Sequence, residues 1–431
     1  MKKISTIFIL GLIALTNLQA QVYTLGEYNT AGDVNSDGTV VAGSNLNENL
    51  MWDMDNGVTL IGGVPSQGYG GRPAINSDGT LISASAINPD SGLAEMSIYD
   101  INTQTWTNLG GIGASSGSST SSAWGLSADG STVVGLGWVS AAEAHAINWT
   151  EENGMIDMGS SVLERSTRAN VANHDGSIIA GWQDDEIGQR QAAIWENGVQ
   201  TLLDFDNGYP ATEIGAMSND GVWYGGGGNF DNGDQAWKYS EATGMVNIGP
   251  GPDPMWSGAV TGFSADGEIS VGFYRPFGPF PAEGNGFIYT DTEGMTDLNE
   301  YAEALGIDTL GMVFALPLAI SEDGSTVVGL GKSANGALEG FVLRLTEEPL
   351  GINESYFTDL SLYPNPVKNE LNIKHSEIIS AVKISTMTGQ LVSNTTPNAM
   401  ESTLPMSHLN SGVYLVTITV NNQEKTFKVV K

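Results

Sequence analysis

Short apolar runs and polar turns alternate along most of the chain in a unit that recurs seven times. Each unit holds an Asp-Gly pair between two runs of strand-like alternation, as in the segment 126–135. An Asp-Gly pair in that setting predicts a two-residue type I′ hairpin turn between a strand a and a strand b. A later apolar run with an aromatic residue, a glycine turn and a further short run predict strands c and d. The seven pairs are Asp37-Gly38, Asp78-Gly79, Asp129-Gly130, Asp175-Gly176, Asp220-Gly221, Asp266-Gly267 and Asp323-Gly324.

The spacing of these pairs, 41 to 57 residues, is typical of the blades of a β-propeller. Six units end in a d strand, whereas the seventh stops after strand c at Leu345. An unattached run of the d type, residues 22–26, precedes the first unit. We therefore predict an all-β fold with a seven-bladed β-propeller over residues 21–345. Pairing of the first strand with the last blade would leave no unpaired edge there.

The two ends of the chain differ from the repeats. Lys2 and Lys3, the apolar run 7–15 and the small residue Ala20 predict a signal peptide over residues 1–20. Residues 346–359 are expected to form a linker. Beyond the linker, strand-like alternation predicts a small β-sandwich over residues 360–431.

The motifs of this last segment occur in a specific order: 362–366, 371–373, 388–392, 411–416 and the basic end 425–431. In that order they resemble the type A C-terminal sorting domain of the type IX secretion system. The resemblance implies a Gram-negative bacterium, passage through the periplasm, contact with the secretion machinery, and a secreted or cell-surface product. An ordinary accessory β-sandwich is the alternative. The residues that carry the sorting motif are Tyr363, Pro364, Asn365, Pro366, Gly412, Tyr414, Lys428 and Lys431.

The propeller units also resemble the HAF-type repeats of exported bacterial proteins. In those repeats an Ala-x-x-Trp run and a Gly-Met-x-x-Leu-Gly run alternate with a Ser-x-Asp-Gly turn. The second and fourth units depart from the pattern, with Ile98-Tyr99 in place of the tryptophan run and Val199 in place of the methionine. The resemblance implies an exported protein and no particular activity.

Charge and composition exclude several function classes. The formal net charge is −33, and residues 4–349 carry −35 of it, which argues against binding to nucleic acids and to anionic membranes. The chain has no cysteine, so disulfides and thiolate chemistry are excluded. After the signal peptide no apolar run is long enough to cross a bilayer.

The first Asp-Gly turn shares some features with a calcium-binding loop. Residues 33–38 resemble the start of such a loop, but its twelfth position is Ser44 rather than a glutamate. The hairpin already requires the Asp-Gly pair, so we predict a structural turn, no metal and no cofactor.

Loop lengths point to one face of the ring as the functional one. The a–b and c–d turns are short and share one face, whereas the b–c and d–a connections vary in length and share the other. The long loops bring aromatic rings, carboxylates and an arginine together, which suits a polar, ring-shaped ligand. Packing of these rings inside the fold is the equal alternative. The candidate ligand-binding residues are Trp138, Trp182, Asp184, Asp185, Tyr209, Trp256, Tyr274, Arg275 and Phe277.

Catalysis has less support in the sequence. The propeller offers only His145 and His174 as bases for a nucleophile, and both positions look structural. A carboxylate pair of the kind that glycosidases use remains open, because the separations of the many acidic residues are invisible in the sequence. We therefore expect an exported, non-enzymatic binding or adhesion module for a glycan or a protein. A carbohydrate-active enzyme with carboxylates on the long-loop face is the alternative.

Overall fold

The computed structural model describes residues 22–66, 71–204, 211–230, 233–276, 283–345, 360–364, 367–386, 391–407, 409, 412–420 and 423–431. The chain divides into two compact units, Met1–Thr346 and Glu347–Lys431. The expected signal peptide, residues 1–20, and the linker 346–359 lie outside the described residues, so both stay predictions.

The first unit is a ring of seven four-stranded antiparallel sheets. The strand β1 (Val22–Glu27) comes first in the chain. Blade 1 consists of β2 (Thr30–Val34), β3 (Val40–Ser44), β4 (Asn49–Asp53) and β5 (Gly57–Gly62). Blade 2 consists of β6 (Ala74–Ile75), β7 (Leu81–Ile87), β8 (Ala94–Asp100) and β9 (Thr105–Gly110). Blade 3 consists of β10 (Ser121–Leu126), β11 (Thr132–Trp138), β12 (Ala144–Thr150) and β13 (Gly154–Asp157).

The remaining blades follow the same order of strands a to d. Blade 4 consists of β14 (Thr167–Ala172), β15 (Ile178–Asp184), β16 (Arg190–Glu196) and β17 (Val199–Leu203). Blade 5 consists of β18 (Ala211–Met217), β19 (Tyr224–Phe230), β20 (Gly233–Ser240) and β21 (Gly244–Asn247). Blade 6 consists of β22 (Ser257–Phe263), β23 (Ile269–Arg275), β24 (Asn285–Thr290) and β25 (Gly294–Asp297). Blade 7 begins with β26 (Val313–Ile320), β27 (Thr326–Lys332) and β28 (Leu338–Arg344).

Strand β1 supplies the missing strand d of blade 7. It runs antiparallel to β28, with Val22 opposite Leu343 and Thr24 opposite Phe341. The prediction of seven blades closed by the N-terminal strand is therefore confirmed. Closure gives the outer edge of β28 a partner, which an open stack of hairpins would leave exposed.

In the described part of the propeller, buried apolar side chains form seven clusters, one between each pair of neighbouring blades. Trp52 packs with Val328 and Val342 of blade 7, and Trp195 packs with Val134 of blade 3. Strand side chains alternate between the two faces of a sheet, and each face of a blade is covered by its neighbour. The strand c tryptophans contribute to these clusters, and Trp237 is completely buried.

The a–b turns differ from the expected type. In the first turn Gly38 has a positive φ of 74°, but Asp37 does not, and Gly38 N donates to Asn35 O. A type I′ turn requires positive φ at both central residues, so the prediction of that turn is wrong. The chain instead makes a type I turn over 35–38 that ends in a left-handed glycine. The polar residue at position 35 fixes the turn, because its side-chain oxygen accepts from the N–H of Val40.

Strand a carries a β-bulge five residues before the aspartate of each Asp-Gly pair in six of the seven blades. A bulge breaks the alternation and redirects one side chain. Asn170, for example, donates to Ile214 O in blade 5, and Thr261 donates to Pro317 O in blade 7. The bulged residues are Gly32, Trp124, Asn170, Gly215, Thr261 and Leu318.

The connection between blades 6 and 7 contains the helix α1 (Leu298–Ala304). Asp297 caps it by accepting from the N–H groups of Asn299 and Glu300. No helix in the described part of the chain has the length and apolar character needed to span a bilayer.

The second unit is a sheet folded around one core. Its strands are β29 (Ser361–Tyr363), β30 (Glu370–Thr386), β31 (Leu391–Thr395), β32 (Ala399–Pro405), β33 (Val413–Val420) and β34 (Gln423–Val430). The first half of β30 pairs with β29 and β32, and its second half pairs with β31 and β33. Leu371 and Ile373 from the first half share a buried cluster with Val382 and Ile384 from the second. The expected small β-sandwich is therefore confirmed, with β30 common to both layers.

Candidate ligand-binding face

The two faces of the ring are defined by its connections. Strands a and c end, and strands b and d begin, at the face of the short a–b and c–d turns, called here the Asp-Gly face. The b–c and d–a connections lie at the opposite face, called here the long-loop face. Length variation is concentrated at the long-loop face, as the sequence predicts.

Backbone hydrogen bonds link neighbouring a–b turns on the Asp-Gly face. Ser36 N donates to Ser77 O at 3.1 Å, and Ser77 N donates to Ala128 O at 2.8 Å. Asp323 N donates to Ser36 O at 3.2 Å, which joins blade 7 to blade 1. These bonds draw the turns together around the axis, so the Asp-Gly face is narrow at its centre.

An axial channel of about 110 Å³ runs between the a strands. Its lining is mainly apolar and includes small residues such as Gly125, Ala172 and Ala216, and its charged members are Asp33, Arg72 and Glu322. The volume holds a few water molecules and no sugar ring.

Asp33 is the titratable group inside this channel. Burial raises the pKa of its carboxyl, against Arg72 and the amide donors of Ile75 and Val34, which lower it. Ile75 N donates to Asp33 Oδ2 at 3.0 Å, and Val34 N donates to Oδ1 at 2.9 Å. The carboxylate therefore ties strand a of blade 1 to strand a of blade 2.

A cluster of rings and guanidinium groups lies toward the long-loop face in blades 3 to 5. We call Trp124, Arg168, Trp182, Arg190 and Glu213 the arginine cluster. The guanidinium of Arg168 lies 3.6 Å from the ring centroid of Trp124 and 5.2 Å from that of Trp182. Arg190 lies 4.4 Å from the ring of Trp182. One tryptophan thus contacts both guanidinium groups.

Glu213 binds both arginines of the cluster. Its Oε1 lies 2.5 Å from Arg168, and its Oε2 lies 2.7 Å from Arg190. Asn170 completes the network, because it accepts from Arg168 Nε at 2.7 Å and donates to Glu213 at 2.9 Å. Burial lowers the pKa of Arg168 to about 10, with Glu213 raising it and the neighbouring charges of Arg190 and Arg72 lowering it. The orientation of Arg168 is therefore fixed from three sides.

A second recess of about 330 Å³ lies on the same face between blades 7, 1 and 2. Its lining is mainly apolar, and Arg72 contributes a guanidinium to it as well as to the axial channel. We call this recess the Arg72 pocket. Apart from Gly32 and Pro73, the residues that line it are Tyr28, Thr30, Ser44, Asn45, Leu46, Ser66, Arg72, Leu318, Leu330 and Leu338.

The sequence-predicted tryptophans occupy different environments. Trp182 is buried, and Trp138 and Trp256 are half-buried. Tyr274 is also buried, and its hydroxyl donates to Gly249 O and accepts from Ala236 N. Tyr274 is therefore packed inside the fold and not exposed on the long-loop face, because neighbouring blades cover both faces of strand b.

The predicted charged residues contribute mainly to loop structure. Asp185 accepts from the N–H groups of Ile187 and Gln189 and so holds the b–c loop of blade 4. Burial raises the pKa of the neighbouring Asp184, although Arg190 and Arg165 lower it. Arg275 lies 5.9 Å from the ring of Phe273 in blade 6. The structure does not bring Arg275 into the arginine cluster.

Tyr209 and Phe277 lie outside the described residues, so their expected ligand contacts stay predictions. Sequence reasoning missed Trp124, Arg168, Arg190, Glu213 and Arg72. Of these residues, Trp124 could have been singled out from the sequence, because it stands five residues before Asp129, at the bulge position of strand a.

The histidines behave as expected for structural groups. His145 Nδ1 lies 2.8 Å from Asp157 Oδ1, and its Nε2 lies 3.5 Å from Glu143 Oε1. Both ring nitrogens of His145 therefore face carboxylates, which suits a structural role better than that of a base for a nucleophile. His174 contributes its backbone to the Asp-Gly face. Among the described residues, no three His, Asp or Glu side chains are grouped to hold a metal ion.

The sorting residues lie at the start and end of the second unit. Tyr363 is exposed at the end of β29, Pro364 is exposed directly after it, and Tyr414 is buried in the core. Gly412 and Lys431 exchange two backbone hydrogen bonds of 3.1 and 2.8 Å. A Cβ at Gly412 would meet only the Tyr414 ring, at 4.0 Å, so the space beside this glycine is open. Asn365 and Pro366 lie outside the described residues, and Lys428 is placed by its backbone opposite Leu415.

Comparison with protein families identifies the second unit. Residues 361–431 match the family of secretion system C-terminal sorting domains. The protein is therefore a β-propeller that the type IX secretion system sorts, and it is secreted or displayed at the surface of bacteria of the Bacteroidetes type. The HAF-type resemblance stays a prediction.

Solved structures similar to the chain are β-propellers. TolB from Acinetobacter baumannii is 15% identical with a TM-score of 0.42, over 63% of this chain and 64% of that chain. The β-propeller domain of the Trilobed protease from Pyrococcus furiosus is 14% identical with a TM-score of 0.49, over 77% and 99%. An oligogalacturonate lyase in complex with manganese is 11% identical with a TM-score of 0.49, over 77% and 95%. These identities are too low to transfer any activity, and no curated protein matches the chain.

Proposed function

We propose that this protein is a non-enzymatic binding module that acts outside the cell through the long-loop face of its propeller. The observation that carries the proposal is the Arg168 guanidinium, stacked 3.6 Å from the Trp124 ring and fixed by Asn170 and Glu213. Because the network holds these groups before a ligand arrives, little conformational entropy is lost on binding.

Position and exposure support the same conclusion. Trp124 is half-buried and stands at the bulge of strand a, so part of its side chain remains accessible. Tryptophan and arginine are the residues most enriched among the strongest contacts of binding surfaces. The ligand would be a glycan, which stacks on the ring, or a protein, which could use both groups.

A carbohydrate-active enzyme is the second candidate, and the state of Asp184 is what favours it. A general acid needs a raised pKa, and burial raises the pKa of Asp184 on the correct face. Its neighbour Asp185 is occupied by two loop amides, and a second carboxylate for Asp184 would have to come from elsewhere. The binding role is therefore the better supported of the two.

The purified full-length chain should be incubated with a panel of polysaccharides and surface proteins, recording both retention and soluble products. We expect retention without products. Trp124→Ala should abolish retention, and Trp106→Ala, which removes an indole from strand d of blade 2, should leave it unchanged. Trp124 is preferred to the buried Trp182 because its replacement disturbs the core less.

Two other results would change the assignment. Soluble products that disappear in Asp184→Asn would establish the enzyme. If no ligand in the panel is retained and no product forms, both candidates are wrong.

A further inference from the structure

The Arg72 pocket combines an apolar wall with one cationic group. Leu318 and Leu338 belong to its wall, and Leu46 and Tyr28 lie at its rim, where their side chains are 55% and 60% exposed. Exposed apolar side chains around a recess of this size are typical of a site that a ligand covers. The guanidinium of Arg72 lies where this recess meets the axial channel.

Arg72 lacks the partners that its counterparts have. Its Nε is buried and has no hydrogen-bond partner, and no carboxylate of the described residues lies within ion-pair distance of it. By contrast, Arg168 and Arg190 are both bound to Glu213. A buried donor without an acceptor costs free energy, and an incoming anion would recover it.

The charges around the channel mouth are nearly balanced. The pKa of Arg168 is lowered partly by the positive charge of Arg72, so the guanidinium groups lie close enough to repel each other. Glu213 binds Arg168 and Arg190, while Asp33 and Glu322 line the channel with Arg72. An anion would therefore be held by direct hydrogen bonds to Arg72 and not by a positive field.

We propose that the Arg72 pocket binds the carboxylate of a peptide chain end whose last side chain is apolar. The carboxylate would take the free donors of Arg72, and the apolar side chain would lie against Leu46, Leu318 and Leu338. This proposal rests on the proposed binding function and names the chemistry of its ligand.

The lining favours a peptide over an acidic sugar. A sugar ring needs aromatic faces and many hydrogen-bond partners, whereas the apolar part of this lining is mostly leucine, with one aromatic ring, Tyr28, at the rim. An aliphatic or aromatic side chain at a peptide end buries more apolar area against such a wall than a sugar ring does. An acidic sugar is therefore a separate outcome of the test.

The test compares N-acetyl-leucine with N-acetyl-leucinamide, titrated into the full-length chain and followed by calorimetry or ligand-observed NMR. The two probes differ only in the charge of the chain end. We expect the carboxylate to bind at least about 10-fold more tightly than the amide. Equal affinity of the two probes would overturn the proposal, and so would the absence of binding.

Variants locate the effect. Arg72→Gln should lower the affinity for N-acetyl-leucine at least about 10-fold, whereas Lys332→Gln should change this affinity less than about 2-fold. Lys332 is an exposed cation on the same face that does not line the pocket. If Arg72→Gln folds poorly, Leu46→Glu serves instead. It places a negative charge at the exposed rim, which repels the carboxylate of the probe and should also weaken its binding. An unchanged affinity in the folded variants would contradict the proposal.

Failure here can be told apart from failure of the binding function. Tighter binding of glucuronate than of N-acetyl-leucine would overturn the proposal of a peptide ligand, but the proposed binding function would stand. Retention of another ligand that needs Trp124 and ignores Arg72 would have the same meaning. No retention by any ligand would remove the binding function itself.

Discussion

The ammonium group of Lys238 in blade 5 lies 2.5 Å from Oδ1 of Asp291 in blade 6, although the lysine is only 1% exposed. Its charge also lies 4.3 Å from the ring of Trp223 and 5.0 Å from that of Tyr289. The chain thus buries a cation at a blade interface and surrounds it with one carboxylate and two aromatic faces.

Asp291→Asn should therefore destabilise the propeller more than Lys238→Met. The asparagine leaves the buried ammonium without its counter-charge, whereas methionine keeps the apolar stem and removes the charge. Because Asp291 is itself largely exposed, we expect a cost of about 1–2 kcal/mol for Asp291→Asn in the free energy of unfolding. Urea unfolding measures both variants, and equal costs would show that the pair does not hold the interface.

Gly38→Ala should cost more than Gly57→Ala. Both glycines have a positive φ, 74° and 66°, so each alanine pays about 1 kcal/mol of backbone strain. At Gly38 a new Cβ would also lie 2.1 Å from Thr326 Oγ1 of blade 7, whereas at Gly57 it would meet nothing within 4 Å. Thermal unfolding of the two variants should give clearly different midpoints, and identical midpoints would mean that Thr326 moves away freely.

Leu25→Ala should destabilise the closure of the ring between blades 7 and 1. Leu25 is 3% exposed in β1 and packs in the cluster between blades 7 and 1, so we expect a loss of about 2–4 kcal/mol. Leu60→Ala is the matched control, because Leu60 is 54% exposed on strand d of blade 1. Denaturant titration compares the two, and a small effect at Leu25 would argue that β1 contributes little to closure.

Asp33 should make the propeller less stable as the pH rises. Burial raises the pKa of this carboxyl in the folded state, so the folded state holds the proton more tightly than the unfolded one. Its contribution to stability is then largest below the ordinary aspartate pKa of about 3.9 and falls as the pH rises above it. The free energy of unfolding of the wild type, relative to Asp33→Asn, should decrease from acidic to neutral pH. A constant or rising difference would contradict this sign.

Glu213→Gln should have opposite effects on stability and on anion binding. The variant removes the charge that binds Arg168 and Arg190, so we expect a loss of about 1–3 kcal/mol in stability. It also makes the channel mouth more positive, and the affinity for N-acetyl-leucine should rise. Glu186→Gln, which removes an exposed carboxylate on the same face, is the control for both measurements.

The ring could be predicted from the sequence because its signals are local and repeated. Each Asp-Gly turn marks one hairpin, and the unpaired run 22–26 accounts for the strand that the seventh unit lacks. The turn type was missed because Asp-Gly satisfies two hairpin geometries. The deciding side chains, such as Asn35, stand two residues before the pair and accept from the strand that follows.

The candidate site was harder to predict, and the reason lies in the stacking of blades. Trp182 and Tyr274 stand near loops in the sequence, but a sheet covered on both faces buries side chains close to the ends of its strands. The contact between Trp124 and Arg168 joins strands of two different blades. Without the bulge register, the sequence gives no sign that these two side chains meet.

The pairing of β1 with β28 sets an order of events for folding. The strand β1 is synthesised first but completes the last blade, so it has no partner until residues 338–344 have been synthesised. Closure of the ring therefore has to wait for blade 7. A chain that is cut or stalled before blade 7 would present an open β edge, exposed to proteases and to other chains.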